Sequence, residues 1–270
     1  SNVLELNKLK VINVKYYEQL ARLGVFTKSD VKKLVGKSET ADSLLQNYKR
    51  RGLIDQVKRN LYVTKSLETG QAIAGRYRIA SKIKPRSYIT HHSAFEYYGY
   101  ANQVYYEVYV SAETKFAEFS YDDVRYRFIS PRIHEGVVMN PDGVRTTDVE
   151  RTTLDSINDF ERIGGLEELL NCLDALPSLR ESRLISYLGQ YNKRFLYQKT
   201  GYILSHFQEK FRLSEGFFEL CEHEKGKSVR YFYNAIRFES PTYDSRWKLL
   251  VPEDLLAIVS KGVEDTGEIR

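Results

Sequence analysis

The sequence predicts an α+β chain in which an N-terminal winged helix-turn-helix at 1–67 precedes a larger C-terminal mixed α/β domain at 68–270. Three observations carry that expectation. Residues 27–50 hold two short amphipathic patterns separated by Gly36. Residues 53–63 hold two β-prone apolar runs around the polar turn Lys58-Arg59-Asn60. Beyond residue 68, strand-like segments come first and helix-like segments follow, as in segregated α+β folds.

Taking the elements in order, Ile12, Tyr16, Leu20 and Leu23 are spaced as one face of a packing helix. Thr27, with Asp30 three residues on, resembles a capping box, and Val31, Leu34 and Val35 supply the buried side of the helix that follows. Gly36 closes it, and Ser38 or Thr40 is expected to cap the next helix. In that helix Ala41, Leu44, Leu45 and Tyr48 recur at i, i+3, i+4 and i+7, so one stripe is buried and the opposite face is polar. Gly52 stops it. Leu53 to Val57 and Leu61 to Val63 then read as a hairpin in which Asn60 can take a left-handed backbone conformation.

The polar face and the hairpin turn supply the candidate DNA-binding residues: Lys37, Ser38, Thr40, Ser43, Gln46, Asn47, Lys49, Arg50, Arg51, Lys58, Arg59 and Asn60. Asn and Gln can bond adenine edges in the major groove, while Lys, Arg, Ser and Thr can bond phosphates. Cations at a wing tip suit phosphates or the negative potential of a minor groove. Any one of these side chains would fit an ordinary solvated helix face. The order of helix, turn, helix and hairpin is what points to double-stranded DNA.

Charge supports this. Residues 1–65 hold 14 Lys and Arg against 6 Asp and Glu, a surplus of eight, whereas the remainder holds 27 against 30. The basicity of the chain is therefore local, as expected of a nucleic-acid-binding part. At 42% hydrophobic and 29% charged residues the composition is that of a globular protein, and no apolar run approaches the roughly 20 residues that span a bilayer. Membrane insertion is not expected. The two cysteines, Cys172 and Cys221, stand apart with no Cys-x-x-Cys pair, so neither a disulfide framework nor a structural zinc site is expected. With no signal-peptide pattern, a cytoplasmic location follows as the expectation. No cofactor is implied.

In the larger domain, Lys65 to Gly75 reads as a helical linker. Tyr88 to Thr90 and Val104 to Val110 read as strands, with a short helix from Ser93 to Tyr98 between them. Phe116 to Phe119 and Val124 to Ile129 read as the arms of a hairpin around Ser-Tyr-Asp-Asp. Helices are expected from Asp148 to Asn158, after Gly164-Gly165 through Leu173, around Ser182 to Leu188 and from Gly201 to Phe211. Val229 to Phe238 and Trp247 to Val251 read as returning strands. The basic residues Arg76, Arg78, Lys82, Lys84 and Arg86 are candidates for further DNA contact, although solvated surface is their commoner role.

An enzyme is not expected. His91 and His92 are adjacent, and neighbouring side chains diverge on a regular helix or strand, so one is expected to cap or pack and the other to be exposed. Glu113-Thr114-Lys115 only superficially matches a nuclease Glu-x-Lys, and no nucleophile elbow, phosphate-binding glycine loop or metalloprotease helix occurs. Asp148-Val149-Glu150-Arg151 and Tyr243-Asp244-Ser245-Arg246-Trp247 read as structural ion pairs. Convergence of three or more of these carboxylates and histidines in one cleft would revive a metal-dependent nuclease reading.

Four phrases carry a family resemblance. RRGLIDQVKRNLYV, then YITHHSAFEYYGY, then VRTTDVERTTLDSI with a following Gly164-Gly165, and finally SPTYDSRWKLLVPED, in this order, resemble the AbiEi-type antitoxins of bacterial abortive-infection systems. The resemblance spans nearly the whole chain, with one departure: Asn60 stands in the wing turn where relatives often carry Gly. It implies a winged-helix repressor that binds inverted repeats in its own promoter and autoregulates a toxin–antitoxin operon. It also implies a type IV antitoxin that opposes a nucleotidyltransferase-like toxin, in phage defence, without a stable complex. Direct binding of the toxin by the C-terminal domain is the alternative.

Overall fold

The fold is α+β, seen in a computed structural model that describes residues 16–259. By their contacts the described residues form two units: 16–89, 106–130 and 139–145 in the first, and 90–105, 131–138 and 146–259 in the second. The helices and hairpin up to residue 64 thus share a unit with later strands, a grouping drawn differently from a cut after residue 67.

The first unit begins with a helix at 16–23 (α1), and Ile12 of its expected apolar face lies outside the described residues. A short strand β1 (Val25–Phe26) leads to α2 (Lys28–Val35). Thr27 and Asp30 form the expected capping box, and Gly36 closes the helix in a left-handed conformation at φ 84°. The next helix, α3 (Ser38–Arg50), is capped differently from expectation. Lys37 holds the N-cap position without a side-chain bond, because the chain turns into the helix before Ser38 can flank it. Ala41, Leu45 and Tyr48 of α3 pack with Leu20, Phe26, Val31 and Ile54, so the periodic stripe is the core face. The hairpin β2 (Ile54–Lys58) and β3 (Leu61–Thr64) follows, with β1 antiparallel to β3 on its other side.

Residues 65–75 are not helical. They make a tight turn in which Lys65 bridges Ala72 and the Ser66 hydroxyl accepts the Glu68 N–H, so side-chain bonding competes with the helix there. The rest of the unit comprises α4 (Arg76–Ala80) and the strands β4 (Tyr88–Ile89), β5 (Glu107–Ser111), β6 (Phe119–Tyr121) and β7 (Val124–Phe128). They lie in the order β6–β7–β5–β4, with β5 and β7 parallel. Asp122 and Asp123, both at positive φ, make the two-residue turn between β6 and β7.

The second unit packs helices α5 (His92–Tyr98), α6 (Val149–Asp159), α7 (Gly165–Ala175), α8 (Glu181–Tyr191), α9 (Arg194–Ser205), α10 (Gln208–Phe211) and α11 (Glu215–Glu224) around one apolar core. The last of these was not expected. The helix expected from Gly201 starts earlier, at Arg194, and is interrupted after Ser205. Within 229–238 only Arg230–Tyr231 is strand and Asn234–Phe238 is a 3-10 helix, so β-prone composition overstated the strand. Two short strands, β8 (Val137–Met139) and β9 (Arg145–Thr147), precede α6 in the chain, and a small sheet of Arg230–Tyr231 (β10), Thr242–Asp244 (β11) and Leu249–Val251 (β12) has β12 in its centre.

The polar phrases of this unit are structural. Asp148 caps α6 by accepting the Arg151 N–H, and the buried Arg151 guanidinium pairs with Asp155 at 3.0 Å. Asp244 accepts the Trp247 N–H, and Arg246 pairs with Glu215 and Glu222. Both His91 and His92 are buried, which corrects the expectation that one is exposed. His91 sits at φ 54°, in neither a helix nor a strand conformation, and this kink lets two consecutive imidazoles point inward.

Candidate nucleic-acid interface

Packing the apolar stripe of α3 inward leaves Lys37, Ser38, Thr40, Ser43, Gln46, Lys49, Arg50 and Arg51 exposed and Asn47 half-buried. One acidic neighbour is neutralised, since Lys28 pairs with Asp42 at 2.7 Å. Lys49 donates to Gln56 Oε1 on β2 at 2.7 Å, which ties the C-terminal turn of α3 to the hairpin.

The hairpin turn is held from the other side. Asn60 takes φ 63°, and its Oδ1 accepts the Lys28 N–H at 3.1 Å, so the side chain secures the start of α2. Lys58 is half-buried with its ammonium 5.0 Å from the Phe119 ring and 5.4 Å from the Phe116 ring. Burial lowers its affinity for a proton, and the nearby Lys84 charge lowers it further. Only Arg59 of the three turn residues is exposed with no intramolecular bond among the described residues.

These turn residues line a cleft of about 850 Å³ within the first unit. The cleft gathers eight cations, Lys33, Lys58, Arg59, Arg78, Lys82, Lys84, Arg86 and Arg145, and a single carboxylate, Asp30. Asp30 is already engaged in the capping box of α2. Arg86 pairs with Glu113 at 3.3 Å, both exposed, but among the described residues no carboxylate pairs with Lys33, Arg59, Lys82, Lys84 or Arg145. Eight like charges around one concavity repel one another, and an anionic ligand removes that cost. Four of the five basic residues singled out between 76 and 86 lie here, and Arg76 does not. Lys33 and Arg145 were missed. Lys33 reads as a solvated helix position, and Arg145 is brought in by tertiary structure from far along the chain.

The expected site residues are therefore distributed. Lys58, Arg59 and Asn60 belong to the cleft, whereas no α3 residue lines it. His92, Glu96 and Glu168 converge in the core of the second unit, all with buried side chains.

No protein-family model matches the chain, and no curated protein matches it. Among solved structures it is similar to the RV2827C protein from Mycobacterium tuberculosis. The TM-score is 0.63 at 14% sequence identity, over 92% of this chain and 93% of that one. At this identity the likeness is one of fold. Among the described residues, no helix is long and apolar enough to cross a membrane.

Proposed function

We propose that the chain is a sequence-specific repressor of double-stranded DNA whose first unit reads the duplex as a winged helix. In this reading α2 and α3 are the helix-turn-helix and β2–β3 is the wing. Thr40, Ser43, Gln46 and Arg50 would face base edges and phosphates from α3, while Arg59 and the cleft cations would take the sugar–phosphate backbone. The observation that carries the proposal is the cleft: eight cations, among them the wing residues, against one carboxylate spent on a helix cap. The family resemblance extends it to autoregulation of a toxin–antitoxin operon through inverted repeats in its own promoter. It also extends it to antitoxin action against a nucleotidyltransferase-like toxin without a stable complex.

A gel shift on that promoter tests the DNA reading. Arg50→Ala is expected to lower the preference for the inverted repeat over random duplex by about tenfold or more, the equivalent of one lost base contact. Arg59→Ala is expected to weaken both duplexes alike. Wild-type affinity in both variants would overturn the assignment. The antitoxin reading predicts restored growth on co-expression with the toxin while the two purified proteins elute apart.

A further inference from the structure

Three potential metal ligands meet in the core of the second unit: His92 on α5, and Glu168 and Cys172 on α7, all buried. Glu168 and Cys172 are four residues apart on one helix and so share a face. His92 Nε2 lies 3.0 Å from Glu168 Oε1, and Cys172 Sγ lies 3.7 Å from the same oxygen. The three donor atoms are within 4.8 Å of one another. Tetrahedral zinc, with bonds of about 2.0 Å to nitrogen and oxygen and about 2.3 Å to sulfur, sets its N and O ligands about 3.3 Å apart and its S and O ligands about 3.5 Å apart. The two edges that meet at Glu168 Oε1, 3.0 and 3.7 Å, are already near those sizes.

Two surrounding features also suit a cation. His92 Nδ1 lies 3.0 Å from a Glu96 carboxylate oxygen, the partner a metal-bound imidazole commonly has on its far nitrogen. Glu168 Oε1 accepts the backbone N–H groups of Asn102 and Gln103, which fixes the carboxylate. Its Oε2 is buried with no hydrogen-bond partner, a costly state for a carboxylate oxygen that a bound cation relieves.

We propose that His92, Glu168 and Cys172 form a buried zinc site, with Glu96 orienting the imidazole. The donor set, one nitrogen, one oxygen and one sulfur, suits zinc and not the oxygen-seeking magnesium or calcium. Zinc binds the thiolate of Cys172 and the neutral imidazole of His92, so any proton on Sγ or Nε2 leaves to solvent as the ion enters. Because the ligands are buried, the ion would act by joining α5 to α7 and not by meeting a substrate. The site is independent of the DNA-binding reading.

The test refolds the full chain from denaturant with zinc or with cobalt(II) and removes unbound metal. One zinc per chain and a higher melting temperature for the loaded form are expected. The cobalt form is expected to show a thiolate-to-cobalt charge-transfer band in the near ultraviolet. Cys172→Ala should abolish that band, and Glu96→Gln should weaken zinc binding about 10- to 100-fold. No retained zinc in the wild type, or a cobalt form without the thiolate band, would overturn the site whether or not the variants fold.

Discussion

Lys199 holds a charge where the fold gives it little solvation. Its side chain is buried on α9, with the ammonium 4.3 Å from the Phe160 ring and 3.3 Å from the Asn158 carbonyl oxygen. Burial pushes its pKa down from 10.5 to about 8. Between those values the unfolded chain binds more protons than the folded one, so stability rises with pH across that window; below it both states are protonated and the full cost is present. Lys199→Met is therefore expected to raise stability at pH 7 by roughly 1–3 kcal/mol and to flatten the rise toward pH 10. Thermal melts at several pH values check this, and an unchanged slope would count against it. The histidine pair shows what residue-level reading misses. Neighbouring side chains diverge on regular backbone, and the positive-φ kink at His91 turns both rings inward, toward Asp159 and toward Glu168.

At the scale of elements, α9 and the turn between β11 and β12 meet through a missing side chain. A Cβ at Gly201 would run into the indole of Trp247, itself buried. Alanine in a helix interior gains about 1 kcal/mol over glycine, but forcing extra volume into a packed core costs about 1–3 kcal/mol or more when the obstacle is a rigid ring. Packing should win. Gly201→Ala is expected to lower the melting temperature and to shift the fluorescence of Trp247, the one tryptophan in the chain; a more stable variant would refute the contact. Helices with clear apolar periodicity were legible in the sequence, α2, α3, α6 and α7 among them, and for α2 the cap was legible too. The turn at 65–75 and the 3-10 helix at Asn234–Phe238 were not, because side-chain hydrogen bonds and long-range packing outweighed propensity there.

For the whole molecule, the proposed DNA binding has a salt signature. Each phosphate neutralised releases condensed counterion, so a chain that contacts six or more phosphates should lose about 10³-fold or more in affinity between 50 and 200 mM salt. The combined variant Lys82→Ala, Lys84→Ala, Arg145→Ala should reduce the slope of log affinity against log salt by about 2 to 3. Equal slopes for variant and wild type would remove the cleft from the interface. By itself the sequence determined the amphipathic helices, the capping box, the hairpin turn and the local excess of positive charge, because each depends on residues within a turn or two of one another. Only the tertiary structure decided that Lys33, Lys82, Lys84 and Arg145 surround one cleft and that His92 meets Glu168 and Cys172. Such groupings join residues far apart in the chain, and no local period or spacing encodes the packing that brings them together.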